Sequence, residues 1–293
     1  MYTLQLVIAG LQQGGIIALL SMGLALMFGV LRLVNFAQAD FMMLGMYGVI
    51  VLTTALDTNF ALASLLLAVP AFAAGMFVYH FIIRQVAKAK LASAPEHAQL
   101  LATLGLSLVL QNGAEMIWGA TPRSLRSAQD LAVWHIGNLS IDQPRTIGFG
   151  IAVVLAVTML YILRYTHVGR IVRAAASDRE AASYVGINVR KAFILTFAVS
   201  ILLSVIVGGI LVSYYSVTPQ TGSDFILLMF TAVILGGLGN VMGAMAGGMI
   251  LGLVQSLSQL IIPLELNNAV VFGLFLALML VRPKGIFGEV TRV

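Results

Sequence analysis

The sequence contains no cysteine. That excludes disulfides and thiolate metal sites, and it leaves the redox compartment open. Charge is scarce too: 9% of residues are Asp, Glu, Lys or Arg, against about 25% in soluble domains. Sixty per cent of the 293 residues are hydrophobic, more than one water-soluble core could hide, so lipid must be the solvent. No Gly-Lys-Ser/Thr phosphate loop occurs, and "GGLG" is therefore not a nucleotide loop. The four histidines, His80, His97, His135 and His167, lack metal-ligand spacing. No nucleophile–base arrangement supports a membrane enzyme. The ~10-residue alternation of outer-membrane barrel strands is also missing. The first cationic residue is Arg32, so the N-terminus has no basic signal-peptide region and its apolar block is expected to stay as a spanning helix.

What is present is a series of apolar blocks of about 20 residues, each long enough to cross a bilayer as a helix. They lie near 5–29, 38–56, 60–83, 99–119, 146–163, 192–214 and 266–282. Region 225–262 exceeds one span and is broken by "GGLGN" (Gly236 to Asn240), so it reads as two shorter helices. The expected fold is an all-α polytopic membrane protein, a bundle of eight or nine transmembrane helices. Net charge is +5, and its placement indicates topology rather than an acidic partner. Arg84, Lys88 and Lys90, then the segment from Arg164 to Lys191, then Arg282, Lys284 and Arg292 mark three cytoplasmic regions. Arg123, Arg126 and Arg145 break the pattern, diluted by Asp130 and Asp142. With nine spans the N-terminus lies outside and the C-terminus inside. With eight, one short helix is re-entrant or the N-terminus is inside. Trp118 and Trp134 fit an interfacial belt. The cationic residues belong to membrane-side loops, so nucleic acid is not an expected partner. No appended soluble domain is expected, and the driving energy is expected from a gradient or from another chain.

The most polar stretch between long apolar blocks is "SDREAASYVGINVRK", Ser177 to Lys191. Ser177 and Glu180 have capping-box spacing, and Gly186 is the residue type that closes a helix in the left-handed conformation. About two turns lie between, with Ala181 and Ala182 forming a surface another protein can approach closely. One reading is a locally stable loop helix lying on the membrane face. The other is a docking element. Glu180-Ala181-Ala182, three residues, then Gly186 resembles the EAA loop of ABC importer membrane subunits, whose short helix seats in the cytoplasmic ATPase. The longer run "RAAASDREAASYVGINVRKAFILTFAVS" resembles the version in branched-chain amino acid importers. So do "GLALMFGVLRLVNFAQADFMMLGMYG" (Gly23 to Gly48), "LATLGLSLVLQNGAEMIWG" (Leu101 to Gly119), "AVILGGLGNVMGAMAGGMILGLVQS" (Ala232 to Ser256) and "LVRPKGIFG" (Leu280 to Gly288), in family order. Gln38, Ala39 and Asp40 depart from the family's usual His, Gly and Glu, and urea and short-chain amide importers share the scaffold.

The resemblance implies one transmembrane permease domain over residues 1–293, with a coupling loop at about 164–191. It implies the smaller of two permease subunits in a heterodimer, although nothing in the chain excludes a homodimer. The other partners are two cytoplasmic ATP-binding subunits, which would carry the ATP and magnesium, and an external substrate-binding protein. The protein would be multi-pass in the bacterial inner membrane with a cytoplasmic C-terminus. ATPase coupling would fall to Ser177, Asp178, Glu180, Ala181, Ala182 and Gly186. The cargo is a small net-neutral solute, leucine, isoleucine or valine, with urea or an amide as the alternative. No catalytic residue, cofactor or metal is expected in this chain.

Several residues carry a chemical argument of their own. Asn35, Gln38 and Asp40 sit where the second block begins. They either line or gate a pathway, or Asp40 lies near the cytoplasmic interface and stabilises a helix N-terminus. Gln111, Asn112 and Glu115 group on roughly one side of the fourth span, as sparse polar groups on an apolar wall or as interhelical bonds. Gln12 and Gln13 share that reading. Gly243 with Gly247, and Gly248 with Gly252, are small-xxx-small pairs that let helix backbones touch. Gly236, Gly237 and Gly239 pack or break a helix. A gradient-driven carrier or channel would need Asp40 or Glu115 as its coupling carboxylate.

Overall fold

The structure, a computed structural model, describes residues 2–88, 95–125, 133–136, 139–263, 266–282 and 285–287. Lys90, Arg126, Asp130, Lys284 and Arg292, used above for topology, fall outside them. The order of elements is α1 (Tyr2–Leu31), α2 (Gln38–Leu56), α3 (Phe60–Val78), a π-helical turn (Tyr79–Ile83), α4 (Arg84–Lys88), α5 (Pro95–Trp118), β1 (Val133–Ile136) and β2 (Leu139–Asp142). There follow α6 (Gln143–Tyr165), α7 (His167–Ser177), α8 (Arg179–Tyr184), α9 (Val189–Leu211), α10 (Thr221–Gly236), α11 (Val241–Ser258) and α12 (Asn267–Val281).

The fold is a helical membrane bundle. Among the described residues seven helices are long and apolar enough to cross a membrane, and two shorter apolar ones, Thr221–Gly236 and Ala269–Val281, join them. In hydrocarbon the backbone must bond within itself, which helices alone achieve segment by segment. Region 225–262 divides as its glycines dictate. Gly237 (φ +97°) and Gly239 (φ +84°) turn the chain, and Asn240 caps α11 by accepting the Gly243 N–H at 2.9 Å. The stretch 120–145 differs from a plain loop. β1 and β2 pair antiparallel from Val133–Asp142 to Ile136–Leu139, and Arg123 bridges to Val217.

Burial separates centre from periphery. In α1 89% of the apolar window is buried and in α9 72%, against 17% in α5 and 22% in α6. The packing of α1 depends on missing side chains. A Cβ at Gly248 would strike the backbone of Ala18, and one at Gly252 that of Gly14. The Ser256 hydroxyl donates to the Leu6 carbonyl at 2.6 Å. The other pair on α11 serves a different neighbour: Gly243 faces Gly236, and Gly247 faces Ala232, both on α10. Gly10, Gly14 and Ala18 repeat every fourth residue on α1 and form the complementary strip, a periodicity visible in the sequence.

Basic residues collect at one end. The Arg179 guanidinium donates to the Leu31 carbonyl at the end of α1, the 237–240 turn lies against Gly29, and Ile286 N–H donates to the Leu235 carbonyl. Of the exceptional arginines, Arg123 and Arg145 lie at the other end, in local structure. The Arg123 guanidinium donates to the Trp118 carbonyl at 2.8 Å. Arg145 pairs with Asp142 at 3.5 Å and covers the Tyr214 ring at 5.0 Å.

Gly252→Leu should loosen the α1–α11 contact by about 3 kcal/mol, the upper range of overpacking. Gly273→Leu, whose Cβ meets no heavy atom within 4 Å, should change stability by less than about 0.5 kcal/mol. Unfolding in mixed detergent checks the contrast.

Candidate functional site

Between α1 and α2 the chain breaks inside the bundle. Arg32 ends α1 in the left-handed conformation (φ +56°), and Asn35 Oδ1 accepts the Ala37 N–H at 3.1 Å, the local bond that favours Asn in turns. Gln38 Nε2 donates to the Ser200 carbonyl at 3.0 Å and to Ser204 Oγ at 2.7 Å. Ser200 Oγ donates to the Gly23 carbonyl at 2.8 Å. The Gln38 amide thus ties α2 to α9, and the Ser200 hydroxyl ties α9 to α1. Ser200 stands 200 − 189 = 11 residues beyond the start of α9, about 17 Å along its axis. The N-terminus of α2 therefore lies at mid-depth. Asn35 Nδ2 and Gln38 Oε1 have no hydrogen-bond partner among the described residues.

Asp40, 1% exposed, stands in the first turn of α2. Gln111 Nε2 donates to its Oδ1 at 2.9 Å and lies 3.1 Å from Ser107 Oγ and 3.0 Å from Ser223 Oγ. A Cβ at Gly222, in the first turn of α10, would strike the Asp40 carboxylate. Two helix N-termini therefore converge on one carboxylate. Gly222 is 236 − 222 = 14 residues from the basic end of α10, about 21 Å. Asp40 thus occupies a helix N-terminus, and that N-terminus lies deep in the bundle.

The residues grouped on the fourth span separate. Gln111 turns inward, whereas Asn112 and Glu115 are exposed on this chain, and Asn112 Nδ2 donates to the Leu108 carbonyl at 2.7 Å. Gln12 bonds Thr146 Oγ1 across to α6 at 3.0 Å. Ser107, Ser200, Ser204 and Ser223 escaped the sequence reading. Their small hydroxyls carry no periodic signal, apart from the four-residue spacing of Ser107 from Gln111 and of Ser200 from Ser204.

At the basic end, α8 is fixed at both termini. Its N-cap is Asp178, not Ser177. Ser177 is the last residue of α7, while Asp178 is extended (φ −149°) and its Oδ1 accepts the N–H groups of Glu180 (2.8 Å) and Ala181 (3.0 Å). The capping-box spacing misplaced the start by one residue because α7 runs directly into the cap. The C-terminus closes as expected, with Gly186 at φ +82°. Gly186 N–H donates to Ser183 O and Ile187 N–H to Ala182 O, both at 3.0 Å, the paired bonds of a Schellman motif. Ala182 is buried against the bundle, while Tyr184 (86% exposed) and Val185 (74%) project outward. Arg179 anchors the helix: besides its bond to Leu31 O (2.8 Å) it lies 4.9 Å over the Phe193 ring of α9. Sequence reading counted Arg179 only as a topology charge.

The closing motif and the glycine-rich turn meet. A Cβ at Gly285 would strike Gly237, and Asn240 Nδ2 donates to Phe287 O at 3.0 Å. The described end of the chain thus rests on the turn that Gly237 and Gly239 make, while Gly236, Gly243 and Gly247 pack α10 against α11.

A lipid-solvated bundle with a polar knot at mid-depth and a rigid helix presented at one end has the anatomy of a membrane transport subunit. The chain belongs to the family described as branched-chain amino acid transport system, permease component, which it matches over residues 6–279. It is 30% identical over 298 residues to the high-affinity branched-chain amino acid transport system permease protein LivH of Salmonella typhimurium, covering 99% of this chain and 96% of that one. The permease BraD of Pseudomonas aeruginosa is 28% identical over 294 residues, 98% and 96% of the two chains. The fructose import permease protein FrcC of Rhizobium meliloti is similar over a third of each chain, 33% identical over 114 residues.

Asp178→Ala should cost α8 about 1 kcal/mol, and Ser177→Ala less than about 0.5 kcal/mol, read as hydrogen exchange across 179–186. In the knot, Asp40→Asn and Gln111→Leu should be non-additive by about 0.5–3 kcal/mol in a double-mutant unfolding cycle.

Proposed function

We propose that this chain is a permease subunit of an ATP-driven importer of leucine, isoleucine and valine, and that α8 couples it to separate ATPases. One observation carries the coupling: α8 is capped at both ends, exposes Tyr184 and Val185, and is fastened by Arg179 to α1 and α9. Such a helix passes a push from below into the central helices as a rigid body. Asp178, Glu180, Ala181, Ala182 and Gly186 shape its docking face, and Ser177 joins it to α7. The branched-chain amino acids transported by the relatives LivH and BraD support the cargo.

The pathway follows the mid-depth knot. Asn35, Gln38, Asp40 and Gln111 supply sparse polar groups in an otherwise apolar wall, which suits a small net-neutral solute. Asn112, Glu115, Ser223 and Asp224 face outward from this chain, so a pathway along them is completed by a second permease subunit. An external binding protein delivers the solute, and ATP with magnesium acts in the cytoplasmic partners. The assembly lies in the bacterial inner membrane, with the basic end and the C-terminus in the cytoplasm. Tilting α5 and α9 against α2 and α10 would break and remake the bonds of Gln111 and Gln38, an alternating gate at mid-depth.

Gly186→Arg tests the coupling. Its Cβ position is open, so an arginine fits in space, but the left-handed φ costs a non-glycine residue about 1–2 kcal/mol and the new cation stands on the docking face. The variant should reach the membrane, lose ATPase subunits in a pull-down and abolish leucine uptake. Full recovery of both would overturn the coupling role, and uptake of urea or acetamide in place of leucine would overturn the cargo.

A further inference from the structure

A cavity of about 1040 Å³ opens near the basic end of the bundle, away from the polar knot. It lies between the end of α1, the end of α6, α7 and the 238–242 turn. Its volume is at the top of the usual range for ligand sites, about 300–1,000 Å³. Three arginines from three elements, Arg32, Arg164 and Arg173, line it, and no carboxylate does. Among the described residues none of the three makes a salt bridge. The rest of the lining is chiefly aliphatic, with Tyr161 and Tyr165 exposed on the α6 side and the Arg164 guanidinium 5.7 Å from the Tyr165 ring centroid. Exposed tyrosines beside cations mark the headgroup level of a bilayer. Helix α7 has the matching anatomy of an interfacial helix: Gly169, Val172 and Ala175 are buried, while Arg170 and Arg173 are exposed.

Arg32 adds a second observation. It holds a left-handed backbone at the end of α1, where glycine would carry no strain, so the position keeps a cation at an energetic cost.

We propose that this cavity binds one anionic phospholipid of the inner leaflet, its phosphate held by Arg32, Arg164 and Arg173 and its acyl chains lying on the apolar wall. Charge decides the occupant: three uncompensated cations at headgroup level favour an anionic lipid over a zwitterionic one, and the aliphatic wall suits acyl chains rather than a free anion. Because α1 and α7 carry the walls and also hold α8, the lipid stabilises the seat of the coupling helix. The inference rests on the reading that the basic end faces the cytoplasm.

The test uses the assembled transporter in nanodiscs of phosphatidylcholine, with or without phosphatidylglycerol. Native mass spectrometry after gentle release should show wild type retaining phosphatidylglycerol about tenfold or more over phosphatidylcholine. The triple variant Arg32→Gln, Arg164→Gln, Arg173→Gln should retain both equally while still recovering ATPase subunits. The absence of cysteine allows a single Met242→Cys label at the cavity wall, which should crosslink to a lipid-borne reagent. Equal retention of the two lipids by wild type, or undiminished preference in the triple variant, overturns the proposal. So does displacement of the lipid by inorganic phosphate, which would mean a simple anion site, or a Met242→Cys crosslink to a partner subunit, which would mean a protein interface. Loss of ATPase recovery in wild type itself would instead count against the coupling role, so the two failures are distinguishable.

Discussion

Everything in this bundle is arranged around the close backbone contact of α1 with α11. In lipid there is no hydrophobic drive to press two apolar helices together, so association comes from van der Waals packing and from bonds across the interface. Gly10, Gly14 and Ala18 on one side, Gly248 and Gly252 on the other, bring the two backbones together, and Ser256 fastens the contact to Leu6 O. With α1 held centrally, α11 uses its other glycine pair to hold α10, whose N-terminus then reaches Asp40. A side chain at either glycine strip would displace the walls of the polar knot, not just one helix.

The knot itself follows from starting a helix where water is absent. Beginning α2 at Gln38, at mid-depth, leaves first-turn N–H groups that the bilayer cannot satisfy. Asn35 Oδ1 takes up one of them, the Ala37 N–H, while the Gln38 amide fastens the start of α2 to Ser200 O and Ser204 Oγ of α9. Asp40 is sustained by its position against two helix N-termini and by the Gln111 amide. These bonds are few and individually modest, about 0.6–2 kcal/mol in membranes. That scale suits a region which must hold one arrangement and still exchange it for another.

At the basic end the same logic yields rigidity. A six-residue helix has no independent stability, yet α8 persists through the Asp178 cap, the Schellman closure at Gly186, and Arg179 laid between Leu31 and Phe193. The arginine converts a surface turn into an extension of α1 and α9. The neighbouring arginine-lined cavity draws on the same two features, an abrupt end to α1 and an amphipathic α7.

Much was legible in the sequence because the bilayer leaves little choice. Apolar blocks of span length become helices, "GGLGN" becomes a turn, and Gly186 closes a helix, each by local chemistry alone. The family motifs likewise placed the chain among branched-chain amino acid permeases. The cap of α8 was misread by one residue because Ser177 and Asp178 are both good caps, and only the preceding helix decides between them. Tertiary structure alone revealed that Gln38 and Gln111 turn inward while Asn112 turns out. It alone showed that the two glycine pairs of α11 serve different helices, and that Arg32, Arg164 and Arg173 share a cavity. The reason is physical: span length and turns are set by residues near in sequence, whereas the direction of a side chain in a bundle is set by which helix lies beside it.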